Sequence, residues 1–135
     1  MNISFQRKTD LAIKALGHLS TIDEPFSRDR LATAVDTSRA YLAQVMTPLV
    51  HAGWVTSGRG PGGGYRLSIP TERITLLEVI EAVEGTTVTG RCALQDGPCP
   101  GTDSCAIHEA WTAARTDLID RLRRVSIAEA IGDPQ

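Results

Sequence analysis

A mainly α fold carrying one small β-hairpin follows from three features of the sequence. Apolar residues recur at helical spacing over most of the chain, a single glycine-rich turn stands between two alternating segments, and aromatic residues make up only 4%. The core must therefore rest on Leu, Ile, Val and Ala, a mixture with high helix propensity. The 135 residues suit one domain with an appendage, since single domains run to about 100–150 residues.

The first helix is read over residues 9–20, where Leu11, Ala12, Ala15, Leu16 and Leu19 share a face and Thr9 stands at the capping position. Glu24-Pro25 ends it. Ser27 then caps a short helix to Val35, Asp36-Thr37 turns the chain, and Ser38 caps a longer helix through Tyr41, Leu42, Val45, Leu49 and Val50 to Gly53. This is a helix-turn-helix. Pro48 lies inside its second helix, where it removes the bond to the Gln44 carbonyl and predicts a kink costing about 3 kcal/mol.

Trp54–Ser57 and Tyr65–Ile69 alternate around Gly58-Arg59-Gly60-Pro61-Gly62-Gly63-Gly64, which predicts a hairpin, the wing of a winged helix. Residues 75–84 form a further capped helix ended by Gly85. Beyond a loop, Ile107, Trp111, Ala114, Leu118, Leu122 and Val125 recur at spacings of 4, 3, 4, 4 and 3. They draw one apolar stripe along a helix too long to fold back on so small a domain, and such a stripe seeks a second copy of itself. The expected organisation is a winged helix-turn-helix domain over 1–85, a cysteine-bearing loop over 86–106, and a dimerisation helix with a C-terminal tail over 107–135.

The formal net charge is −2, but it is unevenly distributed. Residues 28–66 carry five Arg against Asp29 and Asp36, a local +3, whereas residues 72–133 carry six Arg against eleven acids, a local −5. A basic segment in an acidic chain is a footprint for a polyanion. No run approaches the roughly 20 apolar residues of a membrane span, and Met1 to Lys8 lack the apolar core of a signal peptide, so a cytoplasmic location is expected.

The second helix of a helix-turn-helix enters the major groove and reads base edges from its first turns. Ser38, Arg39, Ala40, Tyr41 and Gln44 occupy those turns. Gln pairs bidentately with adenine, while Arg39 and the Tyr41 hydroxyl reach phosphate or base. Arg59 at the wing can enter a narrow minor groove, and Gly62, Gly63 and Gly64 lack side chains and offer amide donors to phosphate oxygens. The glycine run lacks the Gly-Lys-Ser/Thr ending of a nucleotide-binding loop.

Cys92, Cys99 and Cys105 are separated by six and five residues within a loop rich in Gly and Pro. An odd number of loop cysteines in a cytoplasmic chain argues for metal ligation over disulfides. Thiolates suit zinc or an iron–sulfur cluster, and three of them require a fourth ligand. His108 follows Cys105 by three residues, and Asp10 on the first helix of a partner subunit is the other choice.

On these residues the chain resembles the Rrf-type family of winged helix-turn-helix transcriptional regulators, in its iron–sulfur branch of IscR-like and NsrR-like proteins. The resemblance spans nearly the whole chain. It rests on Arg59-Gly60-Pro61-Gly62-Gly63-Gly64-Tyr65, on Ala40-Tyr41-Leu42-Ala43-Gln44, on the helix from Leu76 to Val83, and on three cysteines ahead of a long helix. It implies a homodimeric repressor, not an enzyme, that binds a palindromic operator in double-stranded DNA and senses nitric oxide, redox or iron–sulfur status. It further implies Tyr41 and Gln44 in the major groove and Arg59 in the minor groove. Position 43 is Ala where the family carries an acidic residue, so base preference does not transfer. Cys105-Ala106-Ile107-His108 matches the pattern of a [2Fe-2S] cluster with a His ligand; Thr9-Asp10-Leu11 matches that of a [4Fe-4S] cluster with an Asp from the other subunit, and the reading leans to the latter. The alternative is a zinc-stabilised DNA-binding protein without a sensing role.

Overall fold

The computed structural model describes residues 3–87 and 89–132. Helices α1 (Arg7–Leu19), α2 (Arg28–Ala34) and α3 (Arg39–His51) are followed by strands β1 (Val55–Gly58) and β2 (Gly64–Leu67). A short 3-10 turn, Thr71–Arg73, leads into α4 (Leu76–Glu84), and α5 (His108–Arg124) and α6 (Ile127–Ile131) complete the chain. The strands pair antiparallel with Val55 opposite Leu67 and Gly58 opposite Gly64, which is the expected wing.

Local chemistry sets the helix starts. The Ser27 hydroxyl accepts from the Arg30 amide, and that of Ser38 from the Tyr41 amide at 3.1 Å. Thr75 and Glu78 cap α4 reciprocally. Thr9 departs from expectation: α1 starts at Arg7, with Gln6 in the capping position and no side-chain cap. Thr9 is instead fully buried, and its hydroxyl donates to the Glu84 carboxylate, which also accepts the Gln6 amide at 3.1 Å. A buried hydroxyl needs a partner, and this one ties α1 to the end of α4. Helix α3 runs on through Pro48 to His51, and the Ala52 amide donates to the Pro48 carbonyl at 3.0 Å.

One apolar cluster joins Leu11, Ala12, Ala15, Leu16 and Leu19 of α1 to Leu42, Val45, Met46 and Leu49 of α3, with Val55, Tyr65 and Val79. A smaller one joins Leu77 and Ile80 of α4 to Leu122 of α5. The predicted long helix forms, but the chain beyond it folds back. The Leu76 amide donates to Val125 at 2.8 Å, the Ile127 amide to Ile74 at 2.7 Å, and Ile127 is fully buried in the main core. The apolar stripe is thereby divided: Leu122 is buried within the protomer, whereas Trp111 and Leu118 are 39% and 45% exposed. Among the described residues no helix is long and apolar enough to cross a membrane.

The wing is anchored at its base. Tyr65 and Phe26 exchange backbone hydrogen bonds at 2.7 and 2.9 Å, so the chain before α2 pairs with the outer side of β2. A Cβ on Gly64, whose φ is +138°, would lie 2.1 Å from the Phe26 carbonyl oxygen; one on Gly62, at φ +78°, would meet nothing. Gly64→Ala is expected to destabilise the protein by about 3 kcal/mol or more, through backbone displacement. Gly62→Ala should cost only the left-handed penalty of roughly 1–2 kcal/mol. Thermal unfolding of the two variants, followed by circular dichroism, checks the difference.

Candidate nucleic-acid interface and metal centre

The first turns of α3 present Ser38, Arg39, Ala40 and Gln44 to solvent, with Tyr41 half-buried beside them. Arg39 lies 3.5 Å from Asp29 of α2, a surface pair of little energetic consequence. At the wing, Arg59 is exposed and makes no ion pair among the described residues. Arg28 holds the wing in place: its guanidinium donates to the Gly58 carbonyl at 2.7 Å and sits 5.0 Å over the Tyr65 ring.

The structure revises the part given to Gly63. Its amide donates to the Gly60 carbonyl at 2.9 Å, so that donor is used in the turn and does not face a ligand. Glycine is required there for space, because a Cβ would come within 2.8 Å of the Arg59 and Gly58 backbone. Gly62 stands clear of neighbours.

Two cations on α1, Arg7 and Lys8, stand beside α3. The Arg7 guanidinium lies 5.7 Å from the centre of the Tyr41 ring, and Lys8 lines a groove with Tyr41, Gln44, Pro48 and Val83. Their only signal in the sequence is a basic pair ahead of residues 9–20, and no local rule connects it to α3 more than thirty residues away.

The three cysteines lie between α4 and α5. Gly85 (φ +96°) ends α4, and the loop then closes on itself: the Cys92 amide donates to Gly97 and the Cys99 amide to Gly90, both at 3.0 Å. The Cys105 amide donates to Gly101 at 3.0 Å. All three sulfur atoms come within 4.8 Å of one another, although thirteen positions separate Cys92 from Cys105. Cys92 Sγ and Cys105 Sγ are 3.7 Å apart, and Cys99 Sγ is 3.1 Å from Nδ1 of His108. A tetrahedral thiolate site with bonds of about 2.3 Å has edges of about 3.8 Å. The donors thus stand as two pairs: Cys92 and Cys105 at the edge length of a metal's coordination shell, Cys99 and His108 at hydrogen-bond distance.

The thiols differ. Bonds from the Leu94 and Gln95 amides draw the Cys92 thiol below its ordinary range, against the effect of desolvation. For Cys105, the Ile107 amide acts in the same direction but is outweighed by desolvation and by the neighbouring Cys92 and Cys99 sulfurs, so that thiol is raised. Cys92 is the readier thiolate, and the thiolate is the ligand. Arg91, Ile107, Trp111 and Arg115 line the cavity beside Cys99, Cys105 and His108. Of the two proposed fourth ligands, His108 lies beside Cys99 but, like Asp10, is not among the groups within 4.8 Å of all three sulfurs. Asp10 of the same chain is exposed, is paired with Lys14 at 2.9 Å, and does not belong to the cysteine group.

Residues 5–133 match the Rrf2 family, described as iron-dependent transcriptional regulators. The HTH-type transcriptional regulator IscR of Vibrio vulnificus is 35% identical over 96 residues, covering 71% of this chain and 56% of that protein. The chain therefore spans just over half the length of the IscR relatives it matches. Protein aau3 of Rhizobium meliloti is 29% identical over 93% of this chain and 82% of its own length. Among solved structures, CymR, the global cysteine regulator of B. subtilis, superposes with a TM-score of 0.77 at 24% identity, covering 99% of this chain and 100% of that one. T. potens IscR superposes at 0.74 with 21% identity, covering 100% and 90%. These neighbours share the fold of a winged helix with a C-terminal helix, and IscR and CymR are both named as regulators.

The difference between the thiols is testable in metal-free protein. Limited iodoacetamide at neutral pH is expected to alkylate Cys92 well before Cys105, as read by peptide mass mapping. Equal rates would contradict the asymmetry.

Proposed function

This chain belongs to the Rrf2 family of transcriptional regulators, and we propose that it is a homodimeric repressor whose binding to a palindromic DNA operator is set by an iron–sulfur cluster on Cys92, Cys99 and Cys105. The observation that carries this reading is the gathering of three thiols within 4.8 Å on a loop that joins the winged helix to α5. Gln44, Arg39 and Tyr41 are assigned to the major groove and Arg59, with Gly62 at the wing turn, to the neighbouring minor groove and backbone. The exposed Trp111 and Leu118 on α5 are the surface that a second copy covers. The units of action are the DNA-binding domain over 1–85, the cluster loop over 86–106 and the segment 107–135.

When bound, a cluster of this type reacts with nitric oxide or oxidants and responds to iron supply. The chain's own residues hold it and transmit its state. Cys92 and Cys105 form one donor pair, and Cys99 with His108 the other. The His108 geometry supports a [2Fe-2S] cluster with a mixed His and Cys pair. The resemblance of Thr9-Asp10-Leu11 supports a [4Fe-4S] cluster completed by Asp10 of the partner subunit. Loop 86–106 begins where α4 ends and stops where α5 starts, so a change in its shape moves the two α5 helices and the spacing of the two reading helices. Operator half-sites about 34 Å apart make that spacing decisive.

Visible absorption of protein purified without oxygen tests the reading. Wild type is expected to be coloured and Cys99→Ala to be folded, dimeric and colourless. A colourless wild type containing zinc would replace the sensor with a zinc-stabilised DNA-binding protein. His108→Ala altering the spectrum while Asp10→Ala leaves it intact supports the His108 pairing, and the reverse supports Asp10. Separately, Arg59→Ala should weaken binding to a selected operator by about tenfold, the order expected for one specific contact, without loss of cluster absorbance. Loss of colour in that variant would contradict the separation of the two sites.

A further inference from the structure

Beside the residues assigned to base reading lies a cationic edge on a different element. Arg7 and Lys8 open α1, and the Arg7 guanidinium stands 5.7 Å from the Tyr41 ring centre. Lys8 shares a groove with Tyr41 and Gln44. The acid nearest in sequence, Asp10, is engaged by Lys14 at 2.9 Å. Neither Arg7 nor Lys8 makes an ion pair among the described residues. Two unneutralised cations held against the exposed start of a helix that carries Gln44 are placed for a polyanion. Their backbone is fixed: the Glu84 carboxylate accepts both the Gln6 amide and the Thr9 hydroxyl, bracketing Arg7 and Lys8 on either side.

We propose that Arg7 and Lys8 form a second DNA-backbone contact, gripping phosphates beside the major groove while α3 reads it, and that Glu84 holds this edge in register from the end of α4, where the cysteine loop begins. The inference rests on the DNA-binding reading above and extends it to a helix outside the helix-turn-helix. Cations that only touch phosphate add affinity without sequence preference, and each releases counterions. Their signature is therefore a salt dependence. Arg7 against Tyr41 further limits the ring's freedom, so that the same residue that meets phosphate also orders a residue of the reading helix.

The test uses a 40-base-pair duplex of mixed sequence and the full-length protein, with dissociation constants measured by fluorescence anisotropy across a range of salt. Wild type is expected to bind with a clear log–log salt slope. The double variant Arg7→Ala/Lys8→Ala should bind more weakly, and because both protomers of a dimer lose two cations its slope should be shallower by about 3.6, at about 0.9 for each of the four phosphates no longer neutralised. Arg121→Ala, which removes a charge paired with Asp117 on α5, should keep the wild-type slope. If wild type binds and the double variant keeps its slope, the α1 edge is overturned and DNA binding by α3 and the wing stands. If wild type binds no duplex at low salt, the DNA-binding reading itself falls and takes this proposal with it. An equal loss of slope in Arg121→Ala would assign the effect to total charge and likewise overturn it. Circular dichroism of each variant confirms that the fold is retained, which is expected because Arg7 is exposed and Lys8 half-exposed.

Discussion

Burial of α1 is the constraint on which the rest of the structure depends. Ala12, Ala15 and Leu16 have no exposed surface, and Leu11 and Leu19 almost none. Small side chains let neighbouring helices approach closely, so a helix of thirteen residues takes α3, α4 and the returning α6 around its sides. Ile131 of α6 lies over Gly17, 3.5 Å from where a Cβ would stand. Because close-packed interiors shift as units and do not deform continuously, α1 sets where the reading helix sits relative to the end of α4. An amphipathic helix of this length has little stability of its own; tertiary burial keeps it, and it in turn keeps its neighbours.

That arrangement brings two sites of unlike chemistry into mechanical contact. Glu84 closes α4, opens the cysteine loop, and accepts hydrogen bonds from Gln6 and Thr9 of the α1 start. From the same turn Arg7 reaches Tyr41. At the other end of the loop, α5 is fastened to α4 through Leu122, Leu77 and Ile80. The cysteine loop therefore bears on two supports, one leading to α3 and one to the exposed stripe of α5. Coupling of this kind requires that the loop have two arrangements of differing DNA affinity.

Much of this was legible in the sequence because its signals are local. Ser27, Ser38 and Thr75 cap the helices they precede, the glycine run turns the hairpin, and three cysteines in one loop converge. What escaped depends on contacts between distant segments. Thr9 looks like a cap because Thr favours that position, yet the unmet need of a buried hydroxyl is answered by Glu84, seventy-five residues away. The return of the chain after Arg124 carried a legible sign, the Ser126 and Glu129 capping box. A five-residue helix is too short for apolar periodicity, however, and the stripe through Val125 reads as the end of the long helix. Gly63 was assigned a free donor on the strength of its residue type; only the turn geometry reveals that Gly60 takes it. Likewise the group of three thiols was legible from the cysteines of one loop, while the relation of His108 to Cys99 needed the start of α5 to be placed.

If the state of the cysteine loop sets DNA affinity, the two must change together in one dimer. The decisive experiment selects an operator from a random-sequence pool with cluster-loaded protein, then titrates that duplex with one preparation before and after the cluster is removed by a chelator under anaerobic conditions. A change in dissociation constant of at least about tenfold is expected, a coupling of about 1.4 kcal/mol, with the dimer intact in both states. Equal affinities for loaded and stripped dimer would overturn the coupling, leaving the cysteines a structural site on a DNA-binding protein that does not sense.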